Sequence, residues 1–76
     1  MFKNKIILIT GGSGFLGQAL TRKILLHNPK NIRILSRDES KQEIMEDNFH
    51  DDRLRFLIGD IRDKERLRRA IKDVDI

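Results

Sequence analysis

The sequence predicts an α/β fold built on a doubly wound parallel sheet, from three observations. Short apolar runs bounded by turn signals recur at Lys5 to Thr10, Asn31 to Ser36 and Arg55 to Gly59, with helical periodicity between them. A glycine-rich turn from Gly11 to Gly17 leads out of the first run into the first helix. The connections are short, which favours right-handed crossovers between parallel neighbours.

Each element has its own signature. Lys5 to Thr10 (KIILIT) is a near-continuous aliphatic and β-branched run, the pattern of a strand covered on both faces. From Phe15 to about His27, Leu16, Leu20 and Ile24 recur at helical spacing with Phe15 and Ala19 beside them, and Asn28-Pro29 ends the helix. Asn31 to Ser36 (NIRILS) reads as the second strand. Ser40-x-x-Glu43 reads as a capping box that opens a second helix, with Ile44, Met45 and Phe49 on its apolar side. Arg55 to Gly59 (RFLIG) is the third strand, and Asp63 can cap a third helix that turns Leu67, Ala70 and Ile71 inward.

Val74-Asp75-Ile76 reads as the start of a fourth strand, expected beside the first. Residues 1–76 therefore form one β-α-β-α-β-α unit with no second domain. A chain of 76 residues is short for a domain, so the expectation is a piece of a longer protein cut at the fourth strand.

Composition removes several function classes. With no cysteine, a disulfide scaffold, a thiolate zinc site and a cysteine nucleophile are excluded, and a reducing cytoplasmic location is expected. The apolar run Ile6 to Ile9 is shorter than a signal-peptide core, and no stretch is long enough to span a membrane. The net charge of +4 gathers between Arg62 and Lys72, where basic residues alternate with Leu67, Ala70 and Ile71 as on a solvated helix face. Without tyrosine or tryptophan, and with only four phenylalanines, stacking platforms are scarce, and no nucleic-acid partner is expected. His27 and His50 are isolated, and no metal site is expected.

The glycine turn carries the chemistry. Gly11, Gly14 and Gly17 stand at Gly-x-x-Gly-x-x-Gly spacing after a strand and at the start of a helix, the Rossmann arrangement for a dinucleotide. Gly11 permits the tight turn, Gly14 lets the backbone approach a pyrophosphate, and Gly17 lets the helix pack closely. The amides from Ser13 through Phe15 and Leu16 then face the phosphates at the positive end of the helix dipole. A nucleoside-triphosphate loop would need Gly-Lys-Ser/Thr, and this one ends Gly17-Gln18-Ala19.

About twenty residues past such a loop, an acid binds the ribose 2′-hydroxyl of NAD or an arginine the 2′-phosphate of NADP. That position is Arg37, with Ser36 before it, Asp38 after it and Lys41 a helical turn on. NADP is the expected cofactor, and Asp38 keeps NAD as the alternative. Asp60 and Ile61 follow the third strand, where a carboxylate next to a backbone amide matches the donor and acceptor on adenine's edge.

With these residues in hand, the chain resembles the extended short-chain dehydrogenase/reductase family over its whole length. Thr10-Gly11-x-x-Gly14-x-x-Gly17 is similar to that family's cofactor loop, and Gly59-Asp60-Ile61-Arg62-Asp63 to its adenine segment. Leu35-Ser36-Arg37-Asp38-Glu39 with Lys41-Gln42, then Arg55-Phe56, resembles the polysaccharide-biosynthesis branch typified by inverting UDP-N-acetylglucosamine 4,6-dehydratases. Gly14-Phe15-Leu16-Gly17 departs from that branch and is similar to nucleotide-sugar 4-epimerases, so both reactions stay open.

The resemblance implies a UDP-sugar substrate and hydride transfer from its C4 to the nicotinamide, giving a 4-keto sugar. A dehydratase then loses water across C5 and C6 and returns the hydride at C6, whereas an epimerase returns it to C4. Family catalysis uses a Tyr-x-x-x-Lys pair, the tyrosinate acting as base. This chain has no tyrosine, so it holds no catalytic residue, and the sugar site is expected beyond Ile76. A non-catalytic NADP-binding sensor of the same fold is the remaining alternative. The resemblance also implies a homo-oligomer, hexamers being common in the branch, and Met1 close to the first strand is similar to its soluble members.

Overall fold

The computed structural model describes residues 1–76. The elements are β1 (Ile6–Thr10), α1 (Phe15–Leu25), β2 (Asn31–Ser36), α2 (Glu39–Phe49), β3 (Leu54–Ile58) and α3 (Lys64–Ile71). The three strands are parallel in the order β1-β2-β3, with Ile7 opposite Ile32 and Ile34 opposite Phe56. This is the β-α-β-α-β-α portion of a Rossmann sheet, as the sequence implies. After α3 the chain returns to the other edge of β1. The Ile76 amide donates to the Ile6 carbonyl at 3.3 Å, and the Leu8 amide donates to the Ile76 carbonyl at 3.1 Å. Those two bonds are one step of a parallel ladder, placing Ile76 at the expected fourth-strand position. No helix is long and apolar enough to cross a membrane.

The core lies on one face of the sheet. Alternation along the strands sends Ile7, Ile9, Ile32, Ile34 and Leu54 to that face, where Ile24 of α1 and Met45 of α2 close over them. Each fully buried aliphatic side chain of this kind stabilises the fold by about 1.5–3 kcal/mol. On the opposite face, Arg33 donates from Nη1 to the carbonyls of Ala70 and Lys72 at 2.9 and 2.6 Å. A cation there satisfies carbonyls that the end of α3 leaves unpaired, and it complements the helix dipole.

Several local expectations are corrected. β1 is not covered on both faces in this chain: Ile7 and Ile9 are buried, Ile6 and Leu8 are half-buried and Thr10 is exposed. α1 leaves most of its expected stripe exposed: Phe15 is 93% exposed and Leu16 80%, Ala19 and Leu20 are also exposed, and Thr21 and Ile24 are buried. Ile24 of the stripe is buried as expected, and Gly17 lies on the same side, where a Cβ would lie 2.5 Å from the Gly12 Cα. Thr21, buried on that side too, satisfies its hydroxyl by donating to the Gly17 carbonyl at 2.8 Å.

In α2, Met45 is buried and Ile44 is exposed, while Gln42 takes an inward position and donates from Nε2 to the Leu57 carbonyl at 2.8 Å. In α3, Ala70 is buried and Ile71 is exposed. The expected capping box at Ser40 and Glu43 does not form. Asp38 caps α2 instead, its Oδ1 accepting the Lys41 amide at 3.0 Å. Asp38 is extended immediately after the strand end, so the helix starts two residues sooner on a charged acceptor. β3 begins one residue earlier than expected because Leu54 pairs with Ile32 and enters the core.

Candidate functional site

A cleft of about 1000 Å³ opens at the carboxyl ends of the three strands. In open α/β sheets this edge is where ligands collect. Thr10, Gly11, Ser13 and Gly14 line it from the β1 turn, Leu35 to Lys41 from the end of β2, and Gly59 to Arg62 from the end of β3. The fold thus brings together Gly11, Ser13, Gly14, Ser36, Arg37, Asp38, Lys41, Asp60 and Ile61. Phe15, Leu16 and Gly17 do not line the cleft; the first two are exposed at the start of α1 and Gly17 packs against Gly12.

The glycines of the turn differ in what they avoid. Gly11 has a φ of +66°, a left-handed conformation that favours glycine, with no neighbour near its missing side chain. Gly12, not singled out in the sequence, is crowded: a Cβ there would stand 2.9 Å from Ile34 Cγ2. Gly14 is different from all of these. Its φ of −76° suits any residue, and a Cβ would meet only the Gly11 carbonyl at 3.6 Å. Nothing within the chain excludes a side chain from this position on the cleft wall.

α1 also starts differently from the other helices. Asp38 and Asp63 cap α2 and α3 with their carboxylates, whereas Gly14 supplies no side-chain cap and the first turn of α1 has no acid. The first amide bond of α1 runs from Gln18 to the Gly14 carbonyl at 2.9 Å. Phe15, Leu16 and Gly17 therefore carry the helix's orphan donors. An open glycine beside uncapped amides at the positive end of a helix dipole fits a pyrophosphate.

Ser13 and Ser36 are both buried, and their hydroxyls lie 2.9 Å apart. Ser36 Oγ also accepts the Asp38 amide at 3.0 Å, so this pair ties the glycine turn to the end of β2. Arg37 keeps its side chain 71% exposed and approaches Asp60 Oδ2 at 3.5 Å. Lys41 is exposed on the same rim. Asp60 is held chiefly by Arg62, whose Nη2 donates to Oδ2 at 2.7 Å and whose amide donates to Oδ1 at 2.9 Å. The Arg62 guanidinium, then its amide, lower the Asp60 carboxyl to a pKa of about 2, and the charge of Arg37 adds a smaller effect. Arg62, quoted in the sequence only as part of the Gly59–Asp63 segment, joins the cleft lining, as do Thr10, Leu35, Glu39, Ser40 and Gly59, which were not singled out as site residues. The signal for Arg62 was the Asp60-x-Arg62 spacing, at which an Asp side chain accepts the amide two residues on.

Residues 7–76 match the family model described as polysaccharide biosynthesis protein. The chain belongs to that family. This agrees with its resemblance to the extended short-chain dehydrogenases/reductases. Among relatives in the family's neighbourhood, the chain is 53% identical to the inverting UDP-N-acetylglucosamine 4,6-dehydratase of Campylobacter jejuni, over 99% of this chain and 23% of that protein. It is 43% identical to the UDP-glucose 4-epimerase of Rickettsia bellii, again over 99% of this chain and 23% of the relative. The solved structure of Pen from Bacillus thuringiensis superposes with a TM-score of 0.94 at 39% identity, covering 99% of this chain and 23% of that one. The chain thus spans about a quarter of the length of the family relatives it matches.

Proposed function

We propose that this chain is the cofactor-binding portion of a nucleotide-sugar 4,6-dehydratase that uses NADP, of the type that acts on UDP-N-acetylglucosamine. The observation that carries the cofactor reading is Gly14, whose ordinary φ and open surroundings give the fold no need of a glycine. A ligand that presses against the backbone supplies that need. The pyrophosphate would lie against Gly14 on the cleft wall and take the orphan amides of Phe15 and Leu16 at the adjoining start of α1. Asp60 and the Ile61 amide would meet the edge of adenine.

The choice of NADP rests on the two candidates at the ribose. Asp38 already spends Oδ1 on the cap of α2, whereas Arg37 has an exposed guanidinium without a hydrogen-bonded partner of its own. A guanidinium suits a phosphate dianion through charge-assisted hydrogen bonds. Ser36 supports this site from behind, because its hydroxyl is engaged with Ser13 and Asp38. The nicotinamide, when bound, supplies a hydride acceptor and donor. The residues of this chain do no proton transfer; they bind and orient.

The dehydratase reading is favoured by the higher identity to the Campylobacter enzyme and by the Ser36-Arg37-Asp38-Glu39 segment. A 4-epimerase is the second reading, favoured by Gly14-Phe15-Leu16-Gly17 and by the Rickettsia relative. Mass spectrometry, with proton NMR for the configuration at C4, of UDP-N-acetylglucosamine incubated with the protein that carries this chain separates them. Loss of one water supports the dehydratase. Unchanged mass with inverted C4 supports the epimerase, and no product despite bound NADP overturns both in favour of a sensor.

A further inference from the structure

Asp60 is contested by two arginines, and the contest is unequal. Arg62, two residues downstream, sets Nε at 3.1 Å from both carboxylate oxygens, Nη2 at 2.7 Å from Oδ2 and its amide at 2.9 Å from Oδ1. Arg37, arriving from the end of β2, stops at 3.5 Å from the same Oδ2. That distance is an ion pair beyond hydrogen-bond length. A carboxylate offers about four acceptor sites, and the three donors of Arg62, its amide, Nε and Nη2, take most of them across both oxygens. Because a guanidinium stays charged at any physiological pH, where Arg37 rests depends on which anion in reach is least occupied.

We propose that Arg62 is a positioning residue for recognition of a 2′-phosphate: by occupying the Asp60 carboxylate, it keeps Arg37 from closing onto it and leaves that guanidinium for the phosphate. This rests on the NADP reading above. Without Arg62, Asp60 becomes an uncompensated carboxylate next to Arg37, and the two close into a hydrogen-bonded pair. The 2′-phosphate must then break that pair before Arg37 can serve it. NAD carries no phosphate at this position and does not meet the competition. Any contribution of Arg62 to adenine binding through Asp60 is common to both cofactors and cancels in their ratio.

The test is a double-mutant cycle with NADP and NAD affinities measured by calorimetry on the native protein, Arg62→Ala, Arg37→Ala and the double variant. Arg62 is 78% exposed, and circular dichroism with a cooperative thermal melt reports that each variant is folded. In the native background, Arg62→Ala is expected to lower the NADP-to-NAD affinity ratio about two- to fivefold, the range of an exposed ion pair. In the Arg37→Ala background it should leave the ratio unchanged. An equal drop in both backgrounds means that Arg62 meets the phosphate itself and overturns the proposal. So does an unchanged ratio in Arg62→Ala when Arg37→Ala lowers it. If Arg37→Ala itself leaves the ratio unchanged, the NADP reading falls, and the proposal with it.

Discussion

The hydroxyls of Ser13 and Ser36, 2.9 Å apart and both buried, join the glycine turn to the end of β2. They link the phosphate end of the cleft to its ribose end. Ser36→Ala would leave the Ser13 hydroxyl and the Asp38 amide without this partner, and an unsatisfied buried polar group costs about 1–3 kcal/mol. The expected outcome is a lower melting temperature with NADP and NAD weakened alike. Weakening of NADP alone would mean that Ser36 contacts the phosphate directly.

Gly14 and Gly17 should respond oppositely to a side chain. Gly17→Ala places a Cβ 2.5–2.7 Å from the Gly12 backbone and must push α1 off the sheet. Overpacking of this kind costs about 1–3 kcal/mol. Gly14→Val meets no such obstacle, so its melting temperature should stay near native while dinucleotide binding is lost. Thermal melts and cofactor titrations of the two variants check the contrast, and unchanged affinity in folded Gly14→Val would make the turn purely structural.

Much of this site was legible because its signals are backbone requirements. Gly11, Gly14 and Gly17 announce a left-handed turn, an open approach and a close contact, and Arg37 and Asp60 follow at the ends of strands that alternation locates. The facing of α1 was not legible. Leu16, Leu20 and Ile24 look like a core stripe, but only Ile24 is buried in this chain, and the close Gly17–Gly12 contact on that side is something a hydrophobic pattern does not record. Ser40 and Asp38 are both good caps by residue type, and only the strand end decides between them. Arg62 was hidden because its partner lies two residues away in a turn, outside any periodicity.

The Asp60 carboxyl gives a pH prediction. Arg62 lowers its pKa to about 2 from the model-peptide 3.8, so its stabilising contribution is present above the unfolded value and is lost as pH falls through about 2. Carboxyl resonances followed by NMR should show Asp60 ionised at pH 3, with a midpoint near 2. In Arg62→Ala the midpoint should rise, since the largest cause of the shift is gone. A native midpoint in the ordinary range would mean that the Asp60–Arg62 pair does not persist in solution.

The central claim, that the cleft holds NADP with Arg37 on its 2′-phosphate, is tested most directly by titrating native protein and Arg37→Ala with NADP and with NAD. Hydrogen bonds to charged groups contribute about 1.5–3 kcal/mol, so Arg37→Ala should weaken NADP roughly ten- to a hundredfold and leave NAD nearly unchanged. The native protein should bind NADP more tightly than NAD. Tighter native binding of NAD, or equal weakening of both cofactors by Arg37→Ala, would contradict the account and place Asp38 on the ribose instead.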